Sequence, residues 1–159
     1  MDAAFRKHGG AQGGFSLVEI LVVAAIVAVG LLGGEALVVT SLEASRSAML
    51  QTIAVDLAAD LGDRIRANPS AGSAYGLSAG ARLGPPPKAC RTVGECNSAD
   101  LAAVDLYLWQ QATFTALPEA TTVVQVEPAG GATHRYTIVL RWTATGRPAE
   151  SRVAATVEI

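Results

Sequence analysis

Aromatic side chains are scarce: the 159 residues hold three Phe, three Tyr and two Trp. A core built on rings is excluded, and packing must come mainly from Val, Leu, Ile and Ala. Histidine is scarcer still, with His8 near the start and His134 far downstream. No nucleophile, base and orienting group are spaced to act together, so the chain is expected not to be an enzyme. No catalytic residue, metal ligand or cofactor is assigned. The 12 Lys and Arg are outnumbered by 14 Asp and Glu, giving a formal charge of −2. A protein that grips phosphate backbones normally shows a basic patch or stripe, so nucleic acid is not an expected partner. Internal repeats are absent, and the length leaves room for one small domain beside any anchor.

What the chain does have is one long apolar run, GGFSLVEILVVAAIVAVGLLGG at residues 13–34. From Phe15 to Leu32 only Ser16 and Glu19 are neither apolar nor glycine. A helix needs roughly 20 such residues to span a bilayer, and this run is just long enough. A charged side chain inside a span costs about 2.5–3.5 kcal/mol, so Glu19 either snorkels to the interface or has a function. Upstream lies the polar leader MDAAFRKHGGAQGG, which carries Arg6 and Lys7. A secretory signal places its small-residue cleavage site after the apolar region; here the glycines come before it. Cleavage after Gly14 would remove the leader, keep the helix and make Phe15 the N-terminus. Losing Asp2, Arg6 and Lys7 takes a charge of +1 from −2 and leaves −3.

Arg6 and Lys7 precede the span and the first cation after it is Arg46, so the N-terminus is expected to be cytoplasmic. The remainder then faces the opposite compartment, the periplasm in a diderm bacterium. Both cysteines, Cys90 and Cys96, fall on that oxidising side, where a disulfide is expected. Closing so short a loop contributes about 2 kcal/mol. The alternative, half of a zinc site, has no histidine nearby.

Gly14-Phe15-Ser16-Leu17-Val18-Glu19 resembles the prepilin processing site of type IV pilins and type II secretion pseudopilins. In that family glycine precedes the cut, an N-methylated residue follows it, and Glu stands fifth in the mature chain. The resemblance implies cleavage between Gly14 and Phe15 by a prepilin peptidase, and methylation of Phe15. It also implies that Glu19 neutralises the N-terminal amine of a neighbouring subunit. A carboxylate facing an ammonium recovers, at low dielectric, much of what burial costs.

Helix-forming composition without proline continues past Gly34, and Asn68-Pro69 stops it. One helix is expected from Phe15 to Ala67, on the order of 80 Å long at 1.5 Å per residue. Its first half, residues 15–34, is apolar all round; its second, 35–67, is amphipathic, with Leu50, Ile53, Ala54, Leu57, Leu61 and Ile65 on one face. Gly30, Gly33 and Gly34 mark a soft point, a place of close helix approach, or simple tolerance in lipid. Residues 70–97 read as loop. A second helix is expected over about 98–117, capped by Asn97 or Ser98, with Leu101, Val104, Leu108, Trp109 and Ala112 on its inner face. Trp109 reads as core; Asp100 reads as a first-turn charge and Asp105 as a solvated or capping residue. Three antiparallel strands follow over about 121–159. Tyr136, Ile138, Leu140 and Trp142 alternate inward, as do Val153, Ala155, Val157 and Ile159, while Arg135, Arg141 and Arg152 face out.

The expected class is therefore α+β, a long N-terminal helix packed on a small antiparallel sheet, which is the type IV pilin fold. DRIRANP at 63–69, the cysteine pair, AVDLYLW at 103–109, ALP at 116–118 and the Tyr136–Trp142 strand are together similar to the PilV-type minor pilins, the type IV pilus modification protein family. The resemblance implies a structural subunit in pilus assembly or priming. Its implied partners are other major and minor pilins, the prepilin peptidase, the inner-membrane assembly platform and the membrane itself. It implies a single-pass inner-membrane protein with a periplasmic head (residues 68–159), moving to a cell-surface pilus. A minor pseudopilin of a type II secretion system is the alternative on the same signal and fold. A DNA-binding minor pilin, using Arg135, Arg141 and Arg152, is the alternative of another class. The C-terminal cysteine loop of many major pilins is missing, so a receptor-binding role is not carried over.

Overall fold

Good helix formers without a proline run from Leu17 to Ala67, and in the computed structural model they form a single α-helix, α1. The structure describes residues 14, 16–92, 94–131, 133–143 and 150–159, with only the backbone of residues 32–34 and 36. The remaining elements are a 3₁₀ segment (Pro69–Tyr75), helix α2 (Ser98–Ala116) and strands β1 (Thr121–Gly130), β2 (Thr133–Thr143) and β3 (Glu150–Glu158). The chain divides into two units, residues 1–42 and 43–159.

In the second unit the three strands form an antiparallel sheet in the order β1-β2-β3. Its inner face is the expected one: Tyr136, Ile138, Leu140 and Trp142 of β2 are each at most 2 % exposed. On α1 the face that meets them is Ala54, Ala58, Leu61 and Ile65, spaced four, three and four, which is one stripe of a 3.6-residue helix. Leu50, Ile53 and Leu57 flank it half-buried. Gly62 allows a close approach to β3, because a Cβ there would lie 3.1 Å from a Val157 methyl. Each large side chain fully buried in this core contributes about 1.5–3 kcal/mol.

Helix α2 presents a different face from the one expected. Ala102, Leu106, Trp109, Gln110 and Thr113 turn inward, while Leu101 and Leu108 are 38 % and 50 % exposed. Apolar spacing alone misplaced the face, because this side of α2 buries two polar residues that find partners. Gln110 donates to the Ala81 carbonyl at 2.8 Å and to Thr122 Oγ1 at 2.9 Å, and its Oε1 accepts from the Leu83 N–H at 2.7 Å. A glutamine thus supplies the backbone partners that a strand would otherwise offer.

The segment expected to be plain loop is partly ordered. Leu77 exchanges both backbone hydrogen bonds with Val124 at 2.9 Å, covering part of the free edge of β1. Before it, the 3₁₀ segment turns at Gly72, whose φ of +50° strains any residue with a Cβ. The Gly72 carbonyl accepts from the Tyr136 hydroxyl at 3.2 Å.

Candidate functional site

Three regions carry the residues singled out in the sequence. The first is the start of α1. Gly14 is exposed, with nothing within 4 Å of a Cβ placed on it. Phe15 and the leader, residues 1–13, lie outside the described residues. The Ile20 N–H donates to the Ser16 carbonyl at 3.2 Å, which opens the helix, and Glu19 sits exposed in its first turn. An acid there complements the positive helix end. Around it the apolar side chains have no cover: Leu17 is 77 % exposed, Ile26 67 % and Val29 72 %. In water such a sleeve would cost about 25 cal/mol for each Å² left uncovered.

Among the described residues no helix is long and apolar enough to cross a membrane. The expected span, residues 15–34, includes Phe15 and the side chains of 32–34, which are not described. Of the three glycines read as a soft point, Gly33 and Gly34 also fall outside the described side chains.

The second region is the cysteine loop. Cys90 and Cys96 are joined by a disulfide with their Cα atoms 5.5 Å apart. Inside it, Glu95 Oε2 accepts from the backbone N–H groups of Arg91 and Thr92 at 2.8 and 3.1 Å, and these bonds hold its carboxyl below the usual range. The loop leads straight into the start of α2. The Asn97 side chain accepts from the Asp100 N–H at 2.8 Å, and the Asp100 carboxylate accepts from the Asn97 N–H at 3.2 Å. This reciprocal cap makes Asp100 the first-turn charge expected of it. Lys88 bonds the same carboxylate at 2.6 Å and, with the Asn97 N–H, lowers its pKa.

Asp105 is not the solvated residue the sequence suggested. It accepts from the Tyr75 hydroxyl at 2.7 Å and pairs with Arg64 at 3.2 Å, while Arg64 also holds Asp60 at 2.9 Å. Burial and the bond to Asp105 push the Tyr75 phenol well above its ordinary range. Burial works against the Arg64 charge, but Asp60 and Asp105 outweigh it and raise its pKa. Asn68 completes the cluster, donating to Tyr75 at 3.3 Å and to the Ser98 carbonyl at 2.8 Å. Nothing local in the sequence links residues 64, 75 and 105; only the packed fold does.

The third region is the outer face of the sheet. Arg135 pairs with Glu158, its register partner, at 3.1 Å, so the expected group of three arginines shrinks to Arg141 and Arg152. Those two face each other across β2 and β3. Among the described residues no group of three or more His, Cys, Asp or Glu side chains is placed to hold a metal ion.

The chain matches the family described as type IV pilin Tt1218 over residues 36–107, and the prokaryotic N-terminal methylation motif over residues 10–34. The two matches meet about a third of the way along α1 and support a type IV pilin. The long helix on a three-stranded antiparallel sheet is in keeping with the type IV pilin fold. No curated protein and no solved structure matches the chain.

Proposed function

We propose that this chain, a type IV pilin by motif and fold, acts as a PilV-type minor pilin, a structural subunit in pilus assembly or priming. The observation that carries the reading is the start of α1. Glu19 is the one carboxylate in an uncovered apolar sleeve, five residues after a glycine that ends a basic leader. A lone surface of that kind is explained by lipid before assembly and by neighbouring helices after it. Prepilin peptidase cuts after Gly14, Phe15 is methylated, and its amine meets Glu19 of the next subunit.

The protein is anchored in the inner membrane with its head in the periplasm, and it works by assembly, not catalysis. The disulfide and the capping box make the cysteine loop a rigid surface feature of that head. Nucleic acid is a poor fit as partner, because Arg135 is occupied by Glu158. A pseudopilin would share the motif and the fold, and the genes that neighbour this one separate the two. Mass analysis of the N-terminus tests the processing step. A chain beginning at methylated Phe15 is expected; one beginning near residue 34 or later would overturn the reading.

A further inference from the structure

Strand register orders the outer face of the sheet into rows. Glu127, Arg135 and Glu158 form one, and its arginine is neutralised. Gln125, Thr137 and Thr156 come next, uncharged. Val123, Val139 and Ala154 follow, with Val139 only 5 % exposed although it faces outward. The row after that is Thr121, Arg141 and Arg152, all exposed.

Residues directly opposed on antiparallel strands lie about 4.5–5.5 Å apart at Cα, and like charges placed there repel. Among the described residues neither Arg141 nor Arg152 forms an ion pair. The same holds toward Glu150, which stands one row beyond, opposite Thr143. Elsewhere in this unit Arg64, Arg66, Lys88 and Arg135 each meet a carboxylate within 3.2 Å. Arg46, Arg82 and Arg91 also lack a carboxylate partner among the described residues, but Arg141 and Arg152 are the pair that the strand register places directly opposite each other, like charge against like charge.

We propose that Arg141 and Arg152 form a recognition site for a carboxylate-bearing segment of another protein, the neighbouring subunit of the filament. The choice of neighbour rests on the pilin reading above. Two adjacent guanidinium forks suit carboxylates, which they bind with paired hydrogen bonds. Beside them Ala154 is exposed and Val123 half-buried, so the arginines adjoin a little apolar surface, a combination found at protein interfaces. A nucleic acid fits less well. Glu127, Glu150 and Glu158 share this face, and a track of phosphates would meet them.

The test uses the full chain in the membranes of its own host, with Thr121 replaced by the photoreactive residue p-benzoylphenylalanine. Illumination is expected to give an adduct with another pilin subunit through a peptide bearing at least two carboxylates. Arg141→Glu with Arg152→Glu should lower its yield at least tenfold while the amount of protein in the membrane is unchanged. Changing the partner's carboxylates to lysine should restore it. Arg135→Gln, which leaves the row intact, should alter it less than twofold. No adduct, an adduct insensitive to charge reversal, one removed by nuclease, or one with a protein that is not a pilin would each overturn the proposal. The pilin reading is scored separately, by the presence of the wild-type chain in sheared filaments.

Discussion

The indole N–H of Trp109 donates to the backbone carbonyl of Leu57 at 2.8 Å, so α2 is tied to the C-terminal part of α1 by its largest core side chain. Trp109→Phe keeps most of the bulk and loses the donor, which is expected to cost about 1–2 kcal/mol. Trp109→Ala also opens a cavity and should cost about 3–5 kcal/mol. Thermal unfolding of the processed chain in detergent measures both. Equal, small shifts for the two variants would show that the contact does not anchor the head.

Tyr75 gives the head an alkaline limit. Its phenol is raised above the ordinary value near 10 by burial first and by Asp105 second. A pKa raised on folding contributes stability that is fully present below the unfolded value. That stability declines as pH climbs above about 10 toward the folded value. The unfolding midpoint should therefore drop between pH 9 and pH 11, and the drop should be smaller in Tyr75→Phe. That variant should itself lose about 1–2 kcal/mol at neutral pH, because Asp105 loses a donor. Identical pH profiles for the two proteins would count against this.

Reduction of the disulfide should loosen the loop and leave the sheet intact. Loop-closure entropy puts the loss at about 2 kcal/mol for so short a ring. Cys90→Ser with Cys96→Ser should lower the unfolding midpoint accordingly, with hydrogen exchange rising first around residues 88–100. Thiol labelling of the unreduced protein should find no free cysteine. Stoichiometric zinc would contradict the pairing.

Most of this fold is legible in the sequence. Strict alternation in β2 and β3 identified the inner face, because a strand exposes its period directly. The 3–4 spacing in α1 does the same, although Ala58, too small to mark a face by its hydropathy, is buried beside Leu61. The face of α2 was misread because Leu101 and Leu108 are apolar yet exposed, while Gln110 and Thr113 are polar yet buried. Burial of Gln110 follows from hydrogen-bond partners at Ala81, Leu83 and Thr122, which are distant in sequence and silent in periodicity, while Thr113 donates to the Trp109 carbonyl one turn back. The same limit hid the cluster of Arg64, Tyr75 and Asp105. Alternation put Arg135, Arg141 and Arg152 on one face, but only the register shows which of them is paired. The N-terminal methylation motif, by contrast, is one contiguous stretch at residues 10–34, so the sequence carries it whole.

The most direct measurement concerns Glu19. Glu19→Ala makes the apolar run more apolar and leaves Gly14 and the leader untouched, so insertion and cleavage should proceed as in the wild type. On the proposed reading, what is lost is the counter-charge for the amine of the neighbouring Phe15, and leaving one member of a buried pair alone costs about 3–5 kcal/mol. The quantity to measure is the amount of this chain in sheared pili relative to the amount in membranes, for wild type and variant made at equal levels. A fall of at least tenfold, with normal processing, is expected if Glu19 is an assembly residue. An unchanged ratio would show that it only reaches for the interface, and would contradict the assembly role assigned to it.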